Sequence, residues 1–237
     1  MRLTLPIALL ALLLSDGPAA ADIRARYRTG GGDMIVQVND RGDSRIDRGG
    51  SAVVTIEGVS YVVASDAQGD FAVRQDEMLA EIGRRERERN PPVRDPLQLS
   101  ADSFRAAAAG TESVGGRTGI RWTLRMRNGV ALSEGLVFVI SRDADLAPLG
   151  GALARQFSIA RYTVATADNP VGRLGQVPAS LHRLIAAGTV IRVGTLFSLV
   201  DVEARPVPAS AFALPATILP ADRFLARATW IRPRVVD

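Results

Sequence analysis

Few residues in this chain could carry out covalent or metal chemistry. The single histidine is His182, and there is no cysteine. A catalytic imidazole needs an acid to orient it and a nucleophile to serve. His182 instead sits among Leu181, Leu184 and Ile185 at ordinary helical spacing, which reads as a structural or surface position. A transition-metal site of ordinary type wants several His, Cys or clustered carboxylates. No metal and no cofactor is expected. Asp76 and Glu77 with Glu81, and Asp143 with Asp145, are acid pairs at a helix start or turn. There they complement the helix dipole more simply than they serve acid–base catalysis.

Gly42-Asp43-Ser44 has the letters of a GDS-type esterase block. Such a block follows a buried strand and depends on an Asp and His near the C-terminus, and His182 has no Asp closely before it. Gly42-Asp43 therefore reads as hairpin-turn chemistry. The G-x-S-x-G elbow, the P-loop and the dinucleotide glycine fingerprint are missing from the sequence. The chain is expected not to be an enzyme; a serine hydrolase using Ser44 or another serine with His182 is the distant alternative.

What remains is recognition by burial and by charge. Val36, Val54, Ile56, Tyr61, Trp122, Leu124 and Met126 occupy apolar positions of alternating strands. They are candidates to line a lipid-sized cavity, the plain alternative being that they make the core. Arg121, Arg125 and Arg127 alternate with the apolar residues of the same segment and form a row. They are candidates to meet anionic head groups or an acidic partner, the plain alternative being a solvated face. The chain has 29 basic and 25 acidic residues, for a net charge of +4, and every basic residue is arginine. Arginine suits bidentate binding of phosphate or carboxylate, although codon bias in a GC-rich genome produces the same composition. Nucleic acid is disfavoured as a partner, because the basic residues lack interleaved aromatics.

The elements that must position these residues follow from period and punctuation. Residues 22–75 read as short strands in an antiparallel meander, turned at Gly30-Gly31-Gly32, Asp40–Asp43, Gly49-Gly50 and Glu57-Gly58. Residues 76–90 change to a helical period and stop at Asn90-Pro91-Pro92. The mixed-sign run Arg84–Arg89 reads as a solvated helix face, and 91–100 as a linker. Ser103–Ala109 is predicted to be a second short helix ended by Gly110. Ile120–Met126 alternates cleanly, and Asn128-Gly129 signals a hairpin. Leu136–Ile140 is apolar on both sides, so both faces of that strand should be covered. Helices are predicted over about 146–159 and 179–187. A long strand over 189–205, bent at Gly194, leads to a proline-punctuated edge at 206–215. The tail from Pro220 is weakly specified.

The first 21 residues have the layout of a secretory signal: Met1-Arg2, an apolar run Leu3–Leu14, and the small residues Ala19-Ala20-Ala21. The run is too short for a span of roughly 20 apolar residues. Cleavage is expected before Asp22, leaving one domain over 22–237 and no transmembrane segment. Without a cysteine for acylation, the product is expected to be soluble in the periplasm or secreted, held together by packing rather than disulfides.

Thr111-Glu112-Ser113-Val114-Gly115-Gly116 followed by Ile120-Arg121-Trp122 resembles a "T-x-x-V-x-G, then aromatic strand" segment. Phe138-Val139-Ile140-Ser141, with its acidic turn and helix, resembles the strand step that follows it. Val207-Pro208-Ala209-Ser210-Ala211-Phe212-Ala213-Leu214-Pro215 resembles an "I-P-x-S-x-F-x-L-P" closing motif. In this order the chain resembles exported proteins of the LolA/LolB-like superfamily, which includes the periplasmic carrier of outer-membrane lipoproteins. The resemblance implies an α+β fold: a strongly curved, incompletely closed antiparallel sheet, or half-barrel, with helices covering its concave face and acyl chains held between. No binding motif of that superfamily aligns residue by residue. The arginine-rich stretch near 84–94 is a departure from it.

The expectation is thus a non-enzymatic periplasmic protein that binds a lipid or a lipoprotein acyl chain. The alternative is a cell-envelope protein-interaction module with a self-filled core. The sequence leaves the oligomeric state open.

Overall fold

Short turns and alternating side chains build the first half of the sheet. In the computed structural model, residues 22–89, 104–126, 137–159 and 179–228 are described. Strands β1 (Ile23–Thr29), β2 (Gly32–Val38), β3 (Ser44–Arg48), β4 (Ser51–Ile56), β5 (Val59–Asp66) and β6 (Gly69–Arg74) follow one another as an antiparallel meander. The β4–β5 turn places both Glu57 and Gly58 at positive φ, 50° and 81°. This matches the right-handed twist of a hairpin. The Asp43 carboxylate accepts the Glu57 N–H at 3.0 Å and so fixes the one non-glycine residue in that region of backbone space among those described. The Asp43 carboxyl lies below its ordinary range, first because of this backbone bond and then the Asn39 amide.

Helix α1 (Gln75–Arg89) leaves the sheet, and β7 (Phe104–Val114), β8 (Arg117–Met126), β9 (Val137–Ser141), β10 (Thr189–Val193) and β11 (Phe197–Ala204) complete it. Helices α2 (Ala147–Ile159), α3 (Ala179–Ala186) and α4 (Ala221–Arg227) lie between or after them. The strand order is β6-β5-β4-β3-β2-β1-β11-β10-β9-β8-β7, an open 11-stranded antiparallel sheet. β11 closes the two halves together by pairing with β1, Ile23 opposite Ala204, with a bulge between Arg26 and Tyr27. The α+β class and the curved, open antiparallel sheet with helical cover are as expected.

Register assigns the faces. Ala25, Val36, Ile46, Val53, Val62 and Val73 stand directly opposite one another in a row from β1 to β6. Directly opposed residues share a face, and this is the face on which the helices lie. α2 seals a cluster of Tyr27, Val36, Ile46, Leu149, Leu153 and Leu199. α1 and α4 seal a second, of Val62, Phe71, Val73, Met78, Phe224 and Leu225. The opposite face of β4–β6 carries Ala52, Val54, Val63 and Ala72, covered by Val207 and by Phe212 of a 3-10 turn over Ala209–Phe212. Each fully buried large side chain contributes about 1.5–3 kcal/mol.

Several segments differ from the sequence reading. Residues 104–114 form an 11-residue strand, not a helix. The alanine run has helical propensity, but pairing with β8 along its whole length outweighs it. Gly110, at φ 95°, lies in the bulge between Ala108 and Thr111 rather than at a helix end. The strand predicted over 189–205 is a hairpin: Gly194 adopts φ 45° and the chain reverses into β11. Residues 206–215 form no strand, and the tail contains α4. All residues of β9 are buried, as its two-sided apolar pattern requires. The signal segment, the 91–100 linker and Asn128-Gly129 lie outside the described residues.

Candidate functional site

The residues singled out for a cavity fall into separate clusters on two faces. Val36 is fully buried beneath α2. Val54 is equally buried, but on the opposite face with Ala52, Val63 and Phe212. Ile56 packs against that same cluster, and Tyr61 stands directly opposite Val54. Trp122 and Leu124 join Phe138, Ile140, Val190 and Val193 beneath Leu184 and Ile185 of α3. Met126 ends β8, and its side chain lies outside the described residues. Alternation places a residue on one of two faces of its own strand; it cannot say which faces of distant strands coincide. The seven are therefore brought together only within the Val54–Ile56–Tyr61 and Trp122–Leu124 groups.

The surface depressions lie elsewhere. One, of about 490 Å³, is on the opposite face, lined by Ile35, Arg45, Asp47, Ala52, Val63 and Leu214. Another, about 390 Å³, sits where the β4–β5 turn meets the start of α1, lined by Val59, Ser60, Gln75 and Leu79. Both are open to solvent, and neither includes the candidate lining residues. Pocket residues such as Ile35 and Leu214 escaped the sequence reading because their depression forms only when 213–215 folds back over β3 and β4.

The arrangement of the helices is the feature with functional content. α1 packs on α4 over one apolar cluster, and α2 packs on α3 over two others. The described link between the pairs is polar: Gln75 Nε2 donates to Gln156 Oε1 at 3.1 Å. Nearby, Arg155 donates to the Gly42 carbonyl and the Ser44 hydroxyl, both at 3.4 Å. Ser44 is buried and faces a guanidinium, which supplies no base to a nucleophile. His182 lies in α3 with its side chain outside the described residues.

The acid pairs are neutralised by arginine. Arg74 meets Asp76 and Glu77. Arg117 meets Asp143 and Asp145. Glu81 is bonded by Arg84 and Arg85, which hold its carboxyl down at about 2. The contacts of Arg84 with Glu81 and Glu88 pair the described charges of the mixed-sign run along one helix face, as its spacing suggested. Among the described residues no group of His, Cys, Asp or Glu is placed to hold a metal. No described helix is long and apolar enough to cross a membrane.

The arginine row divides. Arg121 lies 3.8 Å from Glu112, which also pairs with Arg192 of β10. Arg125 is exposed, directly opposite exposed Arg105 of β7. Arg127 lies outside the described residues.

The fold and its covered face thus define a class: an open, curved antiparallel sheet with paired helical cover. No family model matches the chain, and no curated protein matches it. Two solved structures are similar, the crystal structure of MucB in complex with MucA(peri) and the crystal structure of MucB. They are 14% and 15% identical to this chain over 84% of it, each with a TM-score of 0.32. The chain covers 56% and 58% of their lengths, less than two thirds of either.

Proposed function

We propose that the chain is an exported, non-enzymatic binding protein that takes an apolar ligand, a lipid or an acyl chain, between its sheet and helices. One observation carries this reading: the helical cover comes in two pairs over separate apolar clusters, joined among the described residues by the polar Gln75–Gln156 bond. Parting the pairs would open the seam where Ile46 of one cluster stands directly opposite Val53 of the other, and a chain bound there would gain about 0.8 kcal/mol per buried methylene. The motifs resembling the LolA/LolB-like superfamily support the same reading. Two of them fall at the β7–β8 turn and on β9, and the third packs Phe212 on the opposite face.

A protein-interaction module with a self-filled core is the second reading. The full burial of Tyr27, Val36, Val54, Phe71, Leu124 and Leu149, each packed within its own cluster, favours it. Native mass spectrometry of the full chain recovered from a periplasmic extract separates the two. Co-purifying acyl lipid, displaced by a fluorescent fatty acid, is the expected result. Protein that is ligand-free and takes up no fatty acid after delipidation overturns the first reading and leaves the second.

A further inference from the structure

The two edges of the sheet are finished differently. β6 is capped: Ala72 N–H donates to the Thr217 carbonyl at 2.9 Å, and Leu219 N–H donates to the Ala72 carbonyl at 2.8 Å. Ile218 there forms a parallel bridge with Ala72. β7, at the other edge, has β8 as its one strand partner among the described residues. It is 11 residues long, and Ala108, Ala109, Gly110, Thr111 and Ser113 are exposed. A long edge strand with small side chains is a template for pairing, which proteins ordinarily blunt with charge, a cap or a short strand.

The two faces beside that edge have opposite character. On one, Arg105 and Arg125 stand directly opposite each other, both exposed and without an acidic partner among the described residues. Like charges directly opposed in a ladder are destabilising, so the pair lowers stability and leaves positive charge unneutralised. Farther along the same hairpin Glu112 serves two arginines, Arg121 and Arg192. On the other face Ala106 and Ala108 stand opposite Leu124 and Trp122, beside the α3 cluster. A strand added to β7 would alternate its side chains between these faces.

We infer that β7 is a docking edge for an extended segment of a protein partner in which acidic and apolar residues alternate. The backbone of the segment continues the ladder, its carboxylates meet Arg105 and Arg125, and its apolar side chains extend the Trp122–Leu124 face. A second copy of this chain is disfavoured as the occupant, because its β7 brings the same arginines. The inference stands independently of whether the helical face carries a lipid.

The test titrates delipidated full chain with a fluorescent peptide of alternating Glu and Val long enough to span β7, and with its Lys-Val counterpart. The acidic peptide binds and the basic one does not, and β7 amides gain protection from hydrogen exchange in the complex. Arg105→Glu weakens the acidic peptide about tenfold or more, since a charge-assisted attraction is replaced by repulsion. Because Arg105→Glu creates an ion pair with Arg125, the variant folds, and circular dichroism confirms it. Equal binding of both peptides, unchanged binding by Arg105→Glu, absence of binding, or protection arising anywhere but β7 overturns the inference.

Discussion

Gln75 and Gln156 join the two helix pairs through a described side-chain bond, Nε2 to Oε1 at 3.1 Å, while the other end of the Gln75 amide has no hydrogen-bond partner among the described residues. Gln75 is 5% exposed, so its Oε1 is desolvated for no return. A buried polar atom in that state costs about 1–3 kcal/mol, and an apolar side chain of similar shape removes the cost. Gln75→Met is expected to raise the unfolding free energy by about 1 kcal/mol, read from urea denaturation. If the pairs must part to admit an acyl chain, the same variant alters the rate of fatty-acid uptake. A loss of stability would show that the amide is satisfied after all.

Adjacent glycines in α2 make opposite predictions. A Cβ on Gly150 would lie 2.6 Å from Thr189 Oγ1, which itself donates to the Leu146 carbonyl at 2.7 Å. Gly151 has nothing within 4 Å of its Cβ position. Gly151→Ala is expected to stabilise by about 0.5–1 kcal/mol through helix propensity. Gly150→Ala is expected to destabilise by about 1–3 kcal/mol, because α2 must lift from β10. Thermal melts of the two variants check this, and equal shifts would show that α2 does not seat closely on β10.

Strong acid should loosen α4. Arg227 grips Asp66 at 2.5 and 2.6 Å and lies 4.0 Å from the centre of the Phe71 ring. Its hydrogen bonds, with a further one from the Gln68 N–H, bring the Asp66 carboxyl from an ordinary 3.8 down to about 2. The stabilisation is therefore complete above pH 3.8 and is lost as the pH falls through about 2. Asp66→Asn should remove this share of the acid dependence, seen as α4 amide exchange that no longer changes across that window. Identical pH profiles for the two proteins would dissociate the pair from α4 docking.

Relieving the charge opposition on β7–β8 should help the fold. Arg105→Glu replaces repulsion with attraction opposite Arg125 and is expected to add about 0.2–1 kcal/mol. The gain should shrink at high salt. A salt-independent change in melting temperature would point to packing instead.

Strands β1–β6, β8 and β9 and the turns of the first meander were legible because alternation and turn chemistry are local. Val36 and Trp122 could be assigned to the inner side of their own strands for that reason. Non-local pairing was not legible. The Ala106–Ala109 run has the propensity of a helix, and only the ladder with β8 makes it a strand. Arg105 was therefore never read as facing Arg125. Nothing local tells 194 that it turns a hairpin rather than bending a strand.

By itself the sequence determined most element periods and the scarcity of histidine and cysteine, since these depend on composition and on neighbours in the chain. The tertiary structure alone decided that Val36 and Val54 belong to opposite faces, that β6 is capped while β7 has β8 alone as strand partner among the described residues, and that the helices cover the sheet in pairs. Those outcomes depend on register and on the return of β11 to β1, which join residues far apart in sequence and leave no trace in local composition.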